Sequence, residues 1–460
     1  MAEPPNRGER LMDAVTNLSE GRRSFLSTKS FVRGILLGIG ISLLISVLSY
    51  LGVLSSWENQ AFDFMMWWQK ERRSTEIFLI EIDSQDYKDL FGSVSPLSRR
   101  TLSRLLDRLA LTRPRAICLD VSLRDRTGED HFLIETLRRL EAMRIPVVVA
   151  SSIQKTVAGQ GLVDTFSLDF PYPAPDNVLF GATNFPISEG ETIRDMRLLG
   201  TTDDGWAHPF IPLSIVAASE RQSWPAFQRA LARAAGSGDL GGDMPEKLGD
   251  LLRTGLRSPR QKIYFIGDKA SFNALRFSDL DRMPAESFRP GSLLSDKILL
   301  IGGTFTESKD FYRTPKGVLS GVEIIANATE TLLTSKPIRP INHLLSLLFE
   351  FMIVLALSFM FLRFPLGKAT LMSAVSIVPL SIVGSQLAFA TMSRWLDFLP
   401  VALAVFFHGE ASLIEHYRDM KKEIRDLRSR LQQRERELSE ALLQTPRPDS
   451  PAPEHPRTGG

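Results

Sequence analysis

The chain has 460 residues, 43% of them hydrophobic, and a formal net charge of +2. That is long enough for one or two domains with a proper core, and with no basic patch apart from those flanking apolar stretches it makes no case for a nucleic-acid partner. The single cysteine, Cys118, excludes an intrachain disulfide, and its apolar run AICLDVSL reads as the setting of a small buried side chain.

Residues 1–33 form a basic N-terminal segment expected on the cytoplasmic side. Gly34 to Leu54 follows without a charge and is long enough to cross a hydrocarbon layer of roughly 30 Å as a helix. Its length argues against a cleaved signal peptide. Arg22 and Arg23 before it resemble a twin-arginine export signal, but orientation alone accounts for paired arginines at that place.

Residues 55–341 read as one extracytoplasmic domain. Ile77 to Ile82 (IFLIEI) predicts a strand, and Arg100 to Leu111, with leucines at 102, 105, 106 and 109, predicts a helix. Ala116 to Leu119, Phe132 to Met143 and Pro146 to Ala150 repeat the pattern, so the first half predicts consecutive βαβ units and a parallel sheet. Val178 to Phe180, Lys262 to Ile266 and Lys297 to Ile301 (KILLI) predict further strands, Gly236 to Gly249 a surface loop, and Val322 to Leu333 a helix.

Three more apolar stretches occupy residues 344–413: Leu344 to Leu362, interrupted by Glu350, Leu366 to Ala390, and Leu396 to Leu413. Basic residues stay on the cytoplasmic side of spans. Arg22, Arg23, Lys29 and Arg33, then Arg363 and Lys368, then Arg418, Lys421 and Lys422 all fit four spans with both termini inside. Residues 414–444 carry heptads, with Tyr417, Ile424, Leu431 and Leu438 at one seam position and Met420, Leu427, Arg434 and Ala441 at the other. They predict a helix continuous with the fourth span and able to pair with a second copy; a single solvated helix is the simpler alternative. Residues 445–460, rich in proline, are expected to be disordered.

Ligands of open α/β sheets sit beyond the carboxyl ends of the strands. Asp83, Asp120, Ser151, Ser152, Gly302, Gly303 and Thr304 occupy those positions, with Asp310 shortly after. A shared cleft of carboxylates, glycine amides and a hydroxyl would take a cation or a small polar ligand. Helix capping is the competing explanation for Asp83 and Asp120. No Ser-His-Asp grouping, zinc-ligand spacing or P-loop is legible among the six histidines and the acids, so neither catalytic residues nor metal ligands are expected, and no cofactor is indicated.

Taken in order, several motifs resemble the CHASE domain of type 2, an extracytoplasmic sensory module. They are Trp57, Phe62 and Asp63; IEID ending at Asp83; Ser98-Arg99; PRAICLD ending at Asp120; Gly181 and Asn184; Glu189-Gly190 with Thr192-Ile193-Arg194; and the closing block KILLIGGT, Asp310, Thr314-Pro315 and GVEIIANA. The resemblance covers roughly Trp57 to Leu413. Residues 93–98 (SVSPLS) depart from the tryptophan-proline turn of relatives, and Gly205 to Arg260 matches poorly. The resemblance adds Arg99 and Arg194 to the candidate ligand-binding residues. It implies a membrane-anchored α/β protein of a bacterial inner membrane, with a mainly parallel sheet, flanking helices, four transmembrane helices and a short coiled coil.

Relatives pass a stimulus to a cyclase or kinase. After Leu413 only about 47 residues remain, so the expectation is a non-enzymatic sensor subunit, homodimeric through its C-terminal helix, acting on a separate cytoplasmic kinase or cyclase in response to an unknown extracytoplasmic ligand. Gly241-Gly242-Asp243 lacks the acid-aromatic pair of a diguanylate cyclase signature, and His416 lacks an accompanying ATP-binding domain. An envelope-assembly protein is the second reading and an exported enzyme the third.

Overall fold

The computed structural model describes residues 36, 38–41, 43–45, 47–49, 51–158, 161–167, 170, 173–188, 190–202, 207–236, 244–258, 260–334, 338–340, 343–364, 366–392, 394–395 and 399–444. The expectations placed on residues 1–33, Glu189, Gly241 to Asp243 and 445–460 lie outside them, as do those on the side chains of Glu350 and His416. Two compact units are present, residues 52–343 with 383–397, and residues 1–51 with 344–382 and 398–460.

In the first unit, apolar β-branched runs form the centre of a parallel sheet. Its strands are β1 (Ile77–Ile82), β2 (Ala116–Asp120), the first part of β3 (Val147–Ala158), β5 (Val178–Ala182), β6 (Asn273–Arg276) and β7 (Ile298–Gly303). They lie in the order β6-β1-β7-β2-β3-β5, and the far part of β3 turns back antiparallel on β4 (Gly161–Ser167). Every predicted βαβ pairing is parallel, and the KILLI strand sits between the first two, with Ile80 opposite Ile301 and Leu300 opposite Cys118. Six successive residues of β1 are buried, as a strand covered on both faces requires.

Alternation of side chains sorts the sheet into two faces. Phe78, Ile80, Ile117, Leu119, Leu299 and Ile301 face a core shared with α3 (Arg99–Ala110) and α4 (Asp130–Ala142), through Leu102, Leu106, Leu133 and Leu137. The opposite face packs on α5 (Ile211–Ser219) and α6 (Gly321–Leu333). Two glycines permit that close approach. A Cβ on Gly302 would lie 2.7 Å from Val322 Cβ, and one on Gly181 would lie 2.5 Å from the Ile211 backbone. A capping box formed by Ser320 and Glu323 starts α6.

Lys262 to Ile266 is not a strand of this sheet. The segment lies along α6, where the Asn327 side chain accepts from Ile266 N at 2.8 Å and Thr331 Oγ1 from Tyr264 N at 3.0 Å, so these backbone donors are satisfied without a ladder. The edge position belongs to β6, whose residues are mostly exposed. Part of the predicted loop at residues 236–249 is helical, since a helix spans Glu246–Arg257.

The helix α1 (Ser55–Trp68) joins this unit through a bidentate ion pair, Arg194 Nε and Nη2 donating to the Asp63 carboxylate at 2.7 and 2.6 Å. Lys262 adds a contact over the Phe62 ring and a hydrogen bond to Asn59. Arg339–Pro340 pairs with Arg394–Trp395 in a short two-stranded ladder.

The second unit is helical. His343–Arg363, Leu366–Met392 and Leu399–Gln444 are helices of 21, 27 and 46 residues. Among the described residues one stretch, Gly367–Phe389, is long and apolar enough to cross a membrane, with a mean hydropathy of 1.7, and Gly38–Ser49 and Phe351–Met360 are shorter apolar helical stretches. Val354 is 2% exposed and packs where Gly38 has no side chain. The long final helix runs without a break through the heptads, as expected, and leaves Tyr417, Ile424, Leu427 and Leu431 more than half exposed.

Candidate functional site

The carboxyl edge of the sheet opens into two neighbouring cavities, and the sequence-predicted residues divide between them. The larger set of polar groups lines a cavity of about 470 Å³ bounded by Asp120, Ser151, Thr183, Gly303, Asp310 and Tyr312, with Tyr87 and Phe305 stacked beside it. Asp83 and Thr304 instead line the second cavity, of about 630 Å³, with Glu81, Lys269, Arg276 and Glu323. Asp83, Asp120 and the Gly302–Thr304 turn therefore do not converge on one cleft.

Asp83 accepts a hydrogen bond from Asp86 N at 2.8 Å as the N-cap of the short helix α2 (Ser84–Asp89), and pairs with Arg276 at 2.8 Å. Capping explains it. In the same cavity Glu81 is 7% exposed with Oε1 lacking a partner, and burial, opposed by Lys269, pushes its carboxyl up.

Asp120 ends β2, on the α5 and α6 side of the sheet, where burial and then the nearby Asp310 charge push its carboxyl up to about 7. Asp310 is also raised by burial, against the opposing effects of the Tyr312 hydroxyl and the Gly321 amide. Gly321 is a glycine for that reason: the Asp310 carboxylate occupies the space its Cβ would need, at the start of α6. A carboxylate at a helix N-terminus is favoured by the dipole there. Tyr312, whose hydroxyl is raised by burial and by both aspartates, closes the cluster. Gly303 lets the Phe305 ring lie against the strand end, because a Cβ there would sit 2.6 Å from the ring.

The two arginines are not in either cavity. Arg99 is 1% exposed and ties the loop after β2, reaching Ser122 O at 3.3 Å, Asp125 O at 3.2 Å and Asp130 at 3.4 Å. It shapes the wall that Ser122 and Asp125 present to the Asp120 cavity. Arg194 holds α1 through Asp63, and Gly302 packs against Val322, so both act in packing. Asn184 accepts from Ile153 N. Tyr87, Thr183, Phe305 and Tyr312 were not legible as site residues, since they sit in a one-turn helix, a four-residue strand and two loops, too short to carry a periodic signal. Among the described residues no group of three or more His, Cys, Asp or Glu side chains is placed to hold a metal ion.

The unit is an α/β module with polar cavities at its strand ends and a helix held at its entry by the Asp63–Arg194 pair. The CHASE2 domain model matches residues 40–363, most of the chain, and the protein belongs to that family of sensory domains. Neither a curated protein nor a solved structure matches it.

Proposed function

We propose that the protein is a membrane receptor of the bacterial inner membrane that spans it four times. Its domain of residues 55–341 lies outside the cytoplasm and binds a small ligand without transforming it, and its C-terminal helix relays occupancy to a separate cytoplasmic kinase or cyclase. The observation that carries this reading is the pairing of an underused polar cavity in a sensory-family domain with a continuous 46-residue helix bearing an exposed heptad stripe. The basic clusters at Arg363, Lys368, Arg418, Lys421 and Lys422 support the orientation.

Transmission follows from how the domain's membrane-flanking segments are held. α6 ends at Leu333, which argues against a rigid push along it into the next helix. Among the described residues the ties include the Asp63–Arg194 pair on α1, the Gln69–Gln386 hydrogen bond and the ladder between Arg339–Pro340 and Arg394–Trp395. A rearrangement of the cavity walls would reach the spans through these contacts and change the pairing of the heptads between two copies.

The test is cross-linking of a single cysteine at Leu427 in a Cys118→Ser background, in native membranes. The receptor reading expects cross-linked dimers whose yield changes when Asp120→Asn or Asp310→Asn is introduced. Absence of dimers, together with indifference to both substitutions, would sink it in favour of an envelope-assembly role.

A further inference from the structure

The exposed face of α1 is aromatic. Trp57, Phe64, Trp67 and Trp68 follow one another at intervals of seven, three and one, which places them on one face of the helix, and they are 59, 39, 71 and 59% exposed. The rest of the helix is occupied by the domain: Phe62, Met65 and Met66 are buried, and Asn59 and Asp63 are held by Lys262 and Arg194. The Phe64 ring meets the Trp68 ring edge-on at 5.6 Å and the Trp67 ring at 6.3 Å, so these three side chains form one surface. Three of the six tryptophans of the chain stand on this helix. A contiguous exposed apolar surface marks an interaction site. Indole rings, apolar with a single N–H donor, favour the boundary between lipid chains and headgroups.

On the membrane-spanning reading both ends of α1 lie at the bilayer surface. Its first residue, Ser55, directly follows the apolar segment Gly34 to Leu54. Just past its other end the Gln69 side chain donates to Gln386 Oε1 at 2.8 Å, and Gln386 Nε2 donates to Met65 O at 3.4 Å. Gln386 lies in the apolar stretch Gly367–Phe389, about 4.5 Å before its end along the helix axis. Phe389, which closes that stretch, is buried and stacks on Tyr264 of the domain at 5.5 Å. Val383 and Leu387, on either side of Gln386, are exposed and carry the apolar surface on from the aromatic face. A helix of 14 residues is about 21 Å long, and with both ends at one level it lies along the surface. Lys70, Arg72 and Arg73, exposed beyond the helix beside the single acid Glu71, have the sign that lipid phosphates require.

We propose that α1 is an interfacial helix whose Trp57, Phe64, Trp67 and Trp68 face inserts at the headgroup–acyl boundary of the outer leaflet, with Lys70, Arg72 and Arg73 against lipid phosphates. The assignment rests on the spanning reading of Gly367–Phe389 and goes beyond it, because a span does not require its neighbouring segment to lie in the surface. The Asp63–Arg194 pair then fastens the domain to a helix held by lipid and fixes the height of the domain over the bilayer.

The test places single nitroxides at Trp57→Cys, Trp67→Cys, Val94→Cys and Leu380→Cys, each in the full-length Cys118→Ser protein in nanodiscs of phosphatidylethanolamine and phosphatidylglycerol. Collision with oxygen, which partitions into lipid, and with a water-soluble nickel chelate measures the depth of each label. At Trp57 and Trp67 oxygen should relax the label severalfold more than the chelate, at depths that agree within about 5 Å, whereas an upright helix separates them by about 15 Å. Val94, exposed beyond the carboxyl end of β1, should favour the chelate. Chelate-dominated relaxation at Trp57 and Trp67, or depths about 15 Å apart, would overturn the proposal. So would spin–spin broadening between labels at Trp67, which assigns the face to a second copy, or exclusion of both reagents, which assigns it to protein. Both tryptophans are surface side chains, and either label alone decides between lipid and water. Leu380, 71% exposed within Gly367–Phe389, separates the two levels. Lipid exposure at Leu380 with water at Trp67 overturns the interfacial helix and leaves the span, whereas chelate access at Leu380 removes the span and the proposal with it.

Discussion

Asp120→Asn should stabilise the exported domain at alkaline pH and do nothing for it in acid. The carboxyl titrates near 7 in the folded protein against 3.8 for an unperturbed aspartate. The folded state therefore holds its proton more tightly than the unfolded chain. Stability contributed by the protonated group is fully present below pH 3.8, declines as pH rises, and is gone once pH exceeds about 7. A difference of about three pKa units corresponds to a ceiling of about 4 kcal/mol on the cost of ionising it. Because the carboxylate faces a cavity open to water, about 2 kcal/mol is the more realistic figure.

Asparagine is close in shape and carries no charge, so it removes that cost. The variant should unfold about 5 °C above the parent at pH ~8.5 and within about 1 °C of it at pH ~4. Tryptophan fluorescence reports the transition, since Trp224 packs edge-to-face on Phe180 in this domain. Equal unfolding temperatures at pH ~8.5, or a stabilisation of the same size at both pH values, would refute the placement of a strained carboxylate at the end of β2.

Gly302→Ala should lower stability by about 1–3 kcal/mol, because its Cβ has no room beside Val322, and Val322→Ala should recover most of the loss in thermal unfolding of the double variant. Asp63→Asn leaves the nearly buried Arg194 without its charge partner and should cost about 2–3 kcal/mol, less than for a fully buried pair because the Asp63 side chain is 30% exposed. Limited proteolysis between Trp68 and Ser74 would reveal the released helix, and unchanged resistance would contradict the anchoring role. Replacing both Ile424 and Leu431 with aspartate should abolish the Leu427 cross-link while the domain's fluorescence transition stays in place, since charges in a heptad seam must be desolvated on pairing.

The parallel sheet was legible because β1, β2, the first part of β3 and β7 are continuous apolar runs, as strands covered on both faces produce. Three features were not. The edge strand β6 (NALR) is mostly exposed and has no apolar run to announce it, whereas Ile263 to Ile266 has one and is buried against α6 without joining a ladder. The helix α5 (IPLSIVAAS) is buried on all sides through Ala218, so no amphipathic period marks it. The division of the site into two cavities was hidden as well, because position after a strand places both Asp83 and Asp120 on one sheet edge but does not tell a capping carboxylate from a cavity one. Asp310 was legible through its motif, and its reason for being there depends on the missing side chain at Gly321, a contact that sequence spacing does not encode.

The central claim is that the CHASE2 domain and the heptad helix lie on opposite sides of one membrane. A single topology measurement tests it most directly: an enzymatic reporter active only outside the cytoplasm, fused in turn after Glu323 and after Leu442. Activity is expected at Glu323 and none at Leu442. Activity at both positions, or at Leu442 alone, would contradict it.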